Sequence, residues 1–99
     1  QEMVIKLVWS KRAEQGFARI IKYLEDEYTD KEVQNFVRET KHFFEILKQN
    51  PRILEPSRLQ KDLYRGPINR LTMLTYRYKP RQKVIVLINI RDARKKPIK

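Results

Sequence analysis

Residues 83–90 read KVIVLINI. The run is apolar on both faces through most of its length, as a central strand buried on both sides would be. Working outward, Lys79-Pro80-Arg81-Gln82 has the composition of a hairpin loop. Ahead of it, Ile68 to Tyr78 is rich in Thr, Tyr and Leu and predicts a second long strand. Gly66-Pro67 is predicted as a turn, Leu59 to Tyr64 as a weaker strand, and Pro51 to Pro56 as a connection.

Further upstream the period changes from two to between three and four. Val33, Phe36, Val37, Thr40, Phe44 and Leu47 form one stripe, widened by Phe43 and Ile46, and predict a helix near residues 30–49. Thr29 and Glu32 fit a capping box at its start, and Asn50-Pro51 ends it. Ala13, Phe17, Ile20, Ile21, Leu24 and Tyr28 predict an earlier helix over 11–28, with Ser10 as its cap. Met3 to Trp9 predicts the first strand, and Trp9 a core residue. The expected fold is α+β in the order β-α-α-β-β-β, a helical hairpin packed on one face of a mainly antiparallel four-stranded sheet. The chain, 1–99, is expected to be a single domain, with 91–99 a loose basic tail.

The 99 residues carry 23 Lys/Arg against 12 Asp/Glu, a net charge of +11, with no cysteine and one histidine. Disulfides, thiolate metal sites and histidine clusters are therefore excluded, and no metal or other cofactor is expected. No apolar run approaches the ~18 residues of a membrane span. Glu2, Lys6 and Trp9 interrupt any signal-peptide stretch, so a soluble, cytoplasmic protein without a membrane partner is expected. The charge is segregated. Residues 1–50 hold nine Lys/Arg and nine Asp/Glu, whereas residues 51–99 hold fourteen and three. The whole excess lies in the second half, on the strands, where it would attract a polyanion or an acidic protein.

The order, size and charge segregation resemble the RelE/ParE superfamily of bacterial toxins. Val8-Trp9-Ser10 with Ala13 resembles the family's passage from first strand to first helix, and Asn50-Pro51 its helix end. Leu74-Thr75-Tyr76-Arg77-Tyr78 is similar to its third-strand pattern, and Ile85 to Ile90 followed by Arg91-Asp92-Ala93-Arg94 to its last strand and polar exit. The resemblance covers nearly the whole chain. It implies the toxin of a type II toxin–antitoxin pair, a bacterial growth inhibitor of the kind tied to plasmid stabilization. It also implies silencing by a cognate antitoxin in a hetero-oligomeric complex. Two activities follow from it: inhibition of DNA gyrase, as in ParE, or ribosome-dependent mRNA cleavage, as in RelE. Cleaving members usually carry an Arg just before the third-strand pattern and a His or Tyr near the C-terminus. Here Met73 stands at the first position and no His or Tyr follows Tyr78, which favours the ParE-like branch. A reading of another class is a basic nucleic-acid-binding or interaction module without toxin activity.

Guanidinium groups match phosphate and carboxylate geometry and stay charged at any physiological pH. The expected target or nucleic-acid surface is therefore Arg65, Arg70, Arg77, Arg81, Lys83, Arg91 and Arg94. If the chain is a nuclease, Arg77 with Arg91 or Arg94 would clamp the scissile phosphate. Strand alternation puts Arg77 with Met73 and Thr75 on an open face and Leu74, Tyr76 and Tyr78 beneath the helices. Tyr64, Tyr76 and Tyr78 could stack on bases but are more simply sheet packing. His42 lacks a second functional group nearby. Glu25-Asp26-Glu27 points in three directions around a helix and suits no metal.

Overall fold

Ser10 turns the chain from strand to helix and joins the two to the far end of the sequence. Its hydroxyl accepts a bond from the Ala13 N–H at 3.0 Å, capping the first helix, and donates to the Ile88 carbonyl at 3.0 Å. The computed structural model describes residues 4–94. Strand β1 is Lys6–Trp9, helix α1 is Lys11–Glu27 and helix α2 is Asp30–Gln49. Of the strand expected from Met3, Met3 lies outside the described residues, and Val4 and Ile5 precede β1 without pairing as strand. The capping box at Thr29 and Glu32 is present in both directions, so the second helix starts where its sequence says it should. Strands β2 (Glu55–Pro56), β3 (Leu63–Asn69), β4 (Thr72–Lys79) and β5 (Val84–Asp92) follow.

The sheet order is β1-β5-β4-β3-β2. β5 lies inside it, parallel to β1 and antiparallel to β4. The remaining pairs are antiparallel. Five strands rather than four result, because Glu55–Pro56 pairs with Arg65 and Tyr64 and makes a short outer strand of the expected connection. Two further boundaries differ from expectation. Gly66 and Pro67 lie inside β3, and the turn falls at Arg70 and Leu71, where the Asn69 side chain accepts a bond from the Leu71 N–H at 3.0 Å. Pro67 lies past the end of β2, where no strand flanks β3, so its missing N–H costs no ladder bond. Residues 59–62 are not strand. The Ser57 hydroxyl accepts from the Leu59 and Gln60 N–H groups, and Asp62 sits at φ 62°. Of the expected tail, Arg91 and Asp92 belong to β5, and residues 95–99 lie outside the described residues.

The helices cover one face of the sheet. Leu74, Tyr76, Tyr78, Ile85, Leu87 and Ile90 are buried beneath them with Ile20, Leu24, Phe36, Phe44 and Leu47. Trp9 meets Phe17 and Phe44 edge-on at 5.6 and 5.5 Å between ring centres, a packing role as expected. On β5 the buried positions change from odd to even between Leu87 and Ile90. A bulge there pairs Tyr76 with Leu87 but Thr75 with Asn89, leaving Ile88 extra. Beyond Trp9, α1 replaces β1 beside β5. Gly16 passes so close that a Cβ on it would collide with the Ile90 carbonyl oxygen, so only glycine fits.

Candidate functional site

The open face of the sheet carries the residues that alternate with this buried set. The registers place Glu55, Arg65, Thr75 and Asn89 in one row across β2, β3, β4 and β5. Leu63, Arg77, Val86 and Val8 make the next row, and Pro67, Met73 and Arg91 another. Arg77 is on the open face as expected. Its guanidinium donates to the Lys61 carbonyl at 3.1 Å and to Gln60 Oε1 at 3.0 Å, which pins the 57–62 loop against the sheet. Arg65 is exposed beside it, one strand away.

The other expected residues scatter. Arg81 and Lys83 are exposed in the loop between β4 and β5. Arg70 is at the opposite end, in the turn between β3 and β4. Arg91 pairs with Met73, four residues from Arg77 and so about 13 Å from it along the strand. Arg94 turns away from the open face toward α1. It makes a two-point ion pair with Asp92, at 3.2 Å from Nε and 2.9 Å from Nη2, and donates to the Tyr23 hydroxyl at 2.8 Å. The guanidinium also lies 4.3 Å from the Tyr23 ring centre. The bonds to Asp92 and Tyr23 hold its pKa above even the usual arginine value. Arg77, Arg91 and Arg94 therefore do not converge on one point.

The tyrosines of the sheet lie under the helices. Tyr64 and Tyr76 stack at 5.2 Å, and the Tyr76 hydroxyl donates to the Pro51 carbonyl at 2.6 Å. Burial pushes the Tyr76 hydroxyl up to about 12 from 10. Tyr78 is buried with Arg52 over its ring at 4.9 Å. His42 is exposed on α2. No group of three or more His, Cys, Asp or Glu among the described residues could hold a metal ion. Among the same residues, no helix is long and apolar enough to cross a membrane.

Residues 7–97 match the family described as the ParE toxin of the type II toxin–antitoxin system parDE. The chain belongs to the ParE toxin family. Solved structures carry the same fold. A chain of the chromosomal ParDE system from P. aeruginosa superposes with a TM-score of 0.72 at 17% identity, covering 92% of this chain and 98% of that one. A chain of the RelBE2 toxin–antitoxin complex from Mycobacterium tuberculosis gives 0.63 at 12% identity, covering 96% and 98%. The isolated RelE toxin of E. coli gives 0.59 at 15% identity, covering 93% and 87%. No curated protein matches the sequence. As a ParE-family chain it is the toxin of a type II toxin–antitoxin pair.

One feature of this ParE-family chain escaped the charge count by halves. On α1, Lys11, Gln15 and Arg19 recur at every fourth position, with Arg12 beside Lys11. Acidic residues elsewhere on the two helices cancel these cations in the sum but not in space. The signal was present as an i, i+4, i+8 spacing.

Proposed function

We propose that this toxin acts as an inhibitor of DNA gyrase, binding through the open sheet face without covalent chemistry, and that a cognate antitoxin silences it by covering charged surface. The arrangement of the candidate arginines carries this reading. Phosphodiester cleavage needs a clamp on the phosphate together with groups that take and give protons within hydrogen-bond reach. Here Arg77 is engaged by the 57–62 loop and Arg94 by Asp92 and Tyr23. The one imidazole is on α2 and the sheet phenols are on the covered face. Spaced cations that do not converge suit a binding surface, where each contact adds a little and none is indispensable.

The solved relatives from P. aeruginosa and M. tuberculosis belong to systems of toxin with antitoxin, which supports a cognate antitoxin as partner. The deciding experiment runs the purified chain in two assays, gyrase supercoiling and cleavage of mRNA on programmed ribosomes. Loss of supercoiling with intact mRNA is expected, and addition of the antitoxin restores supercoiling. Codon-dependent cuts with gyrase untouched would overturn the reading in favour of a RelE-like nuclease.

A further inference from the structure

A groove of about 790 Å³ runs between the outer flank of α1 and the last residues of β5. Its polar walls are Lys11, Arg12, Gln15 and Arg19 from the helix and Asn89 and Arg91 from the strand. Among the described residues, Lys11, Arg12 and Arg19 form no ion pair. The single carboxylate in the lining, Asp92, is bound by Arg94. Lys11 to Arg19 spans eight residues of helix, about 12 Å. A nucleic-acid strand presents a phosphate roughly every 3.4 Å along a duplex axis, so this length faces about three or four of them.

We infer that this groove binds the phosphodiester backbone of a nucleic acid, at a site that meets the open face only through Asn89 and Arg91 at its rim, is built chiefly on α1 away from Arg65 and Arg77, and is independent of whether gyrase is the target. Forked guanidiniums supply the phosphate contacts, and the Gln15 and Asn89 amides can donate to sugar and phosphate oxygens. An acidic peptide fits less well. Peptide recognition draws on apolar anchors seated in pockets, whereas the lining residues Ile20 and Ile90 are buried, 3% and 1% exposed, and the Tyr23 ring is covered by the Arg94 guanidinium at 4.3 Å, so none of them offers a free seat. The close passage of Gly16 over Ile90 also blocks that edge of β5 from pairing with an added strand.

The test is fluorescence anisotropy of the purified chain with a short labelled duplex DNA and with the same strand unpaired, across about 50 to 200 mM salt. Binding is expected with a log–log salt slope of about −3 to −4 on duplex. Arg12→Gln with Arg19→Gln, both exposed, should weaken binding by ~10-fold or more and reduce the slope by about 2. Arg12→Lys with Arg19→Lys should retain most of the slope. Arg38→Gln with Lys41→Gln removes the same charge from exposed positions on α2, outside the groove, and should leave affinity within about threefold. The inference is overturned if the Arg12/Arg19 Gln variant binds as the wild type does, or if the α2 variant is weakened as much. It is equally overturned if neither DNA binds, or if polyglutamate of equal charge competes as well as DNA.

Discussion

On β4 the residues facing the helices, Thr72, Leu74, Tyr76 and Tyr78, are all buried, while Met73, Thr75 and Arg77 between them look to the open side. The same eight residues thus serve two surfaces under different rules. On the covered face the side chains pack against the helices, and close fit reaches the Tyr76 hydroxyl on Pro51 and the Gly16 backbone on Ile90. On the open face the side chains meet solvent or loops, and Arg65, Arg77 and Arg91 stand spaced among uncharged residues such as Val8, Leu63, Thr75 and Val86. Changes on the covered face should therefore act on folding, and changes on the open face on inhibition of the target.

The largest expected effect tests the covered side. Gly16→Ala places a Cβ against the Ile90 carbonyl, and the backbone of α1 or β5 must shift. The variant is expected to lose about 3 kcal/mol or more of stability in urea unfolding, although alanine is the better helix former. A stability equal to the wild type would show that α1 does not hold its position against β5 so tightly. Tyr76→Phe should cost about 1–2 kcal/mol, because the Pro51 carbonyl loses its donor. It also has a pH signature. The folded hydroxyl titrates near 12 and the unfolded one near 10, so Tyr76 contributes stability that is fully present below pH 10 and lost as pH rises through 12. The wild type should therefore lose stability relative to the Phe variant in that window, and parallel pH curves would remove burial as the cause.

The open face should respond in the opposite way. Arg65→Gln and Arg77→Gln are each expected to weaken target inhibition by about 5- to 10-fold, corresponding to ~1 kcal/mol per contact. Stability should change little for Arg65, and slightly for Arg77 through the loop it pins. Complete loss of toxicity from either single change, with the fold intact, would break the comparison and argue for catalysis. Arg94→Gln should give the smallest effect on inhibition and cost about 1 kcal/mol in stability, reduced by salt, since the Arg94 side chain is 41% exposed although its partner Asp92 is only 13% exposed. Target inhibition should be nearly unchanged, because Arg94 faces α1 rather than the open side.

Much of the covered face could be read from residue spacing. The helix stripes, both caps, the hairpin loop at 79–82 and the assignment of Tyr76 inward and Arg77 outward all rest on local period and capping chemistry. What escaped was decided by tertiary context. Gly66-Pro67 has turn composition, but β2 ends short of Pro67 and Leu54 packs onto Gly66, with 3.1 Å between its Cδ2 and a Cβ built there. The bulge at Ile88 left no mark in an apolar run, since either register buries an apolar side chain. Candidate arginines could be named, but not which of them share a surface. That depended on Asp92 drawing Arg94 toward Tyr23, which is 71 residues away in sequence.

The pairing of β1 with β5 has a consequence for how the toxin comes into being. Lys6 meets Val84 and Trp9 meets Leu87, so the first strand finds its sheet partner near the other end of the chain. Contacts of such high sequence separation close slowly, because the intervening chain must be ordered before they reward it. On the ribosome, β5 must clear the exit tunnel before this edge of the sheet can form, and domains fold as units once their parts are available. A nascent chain therefore lacks this edge of the sheet until synthesis has passed β5.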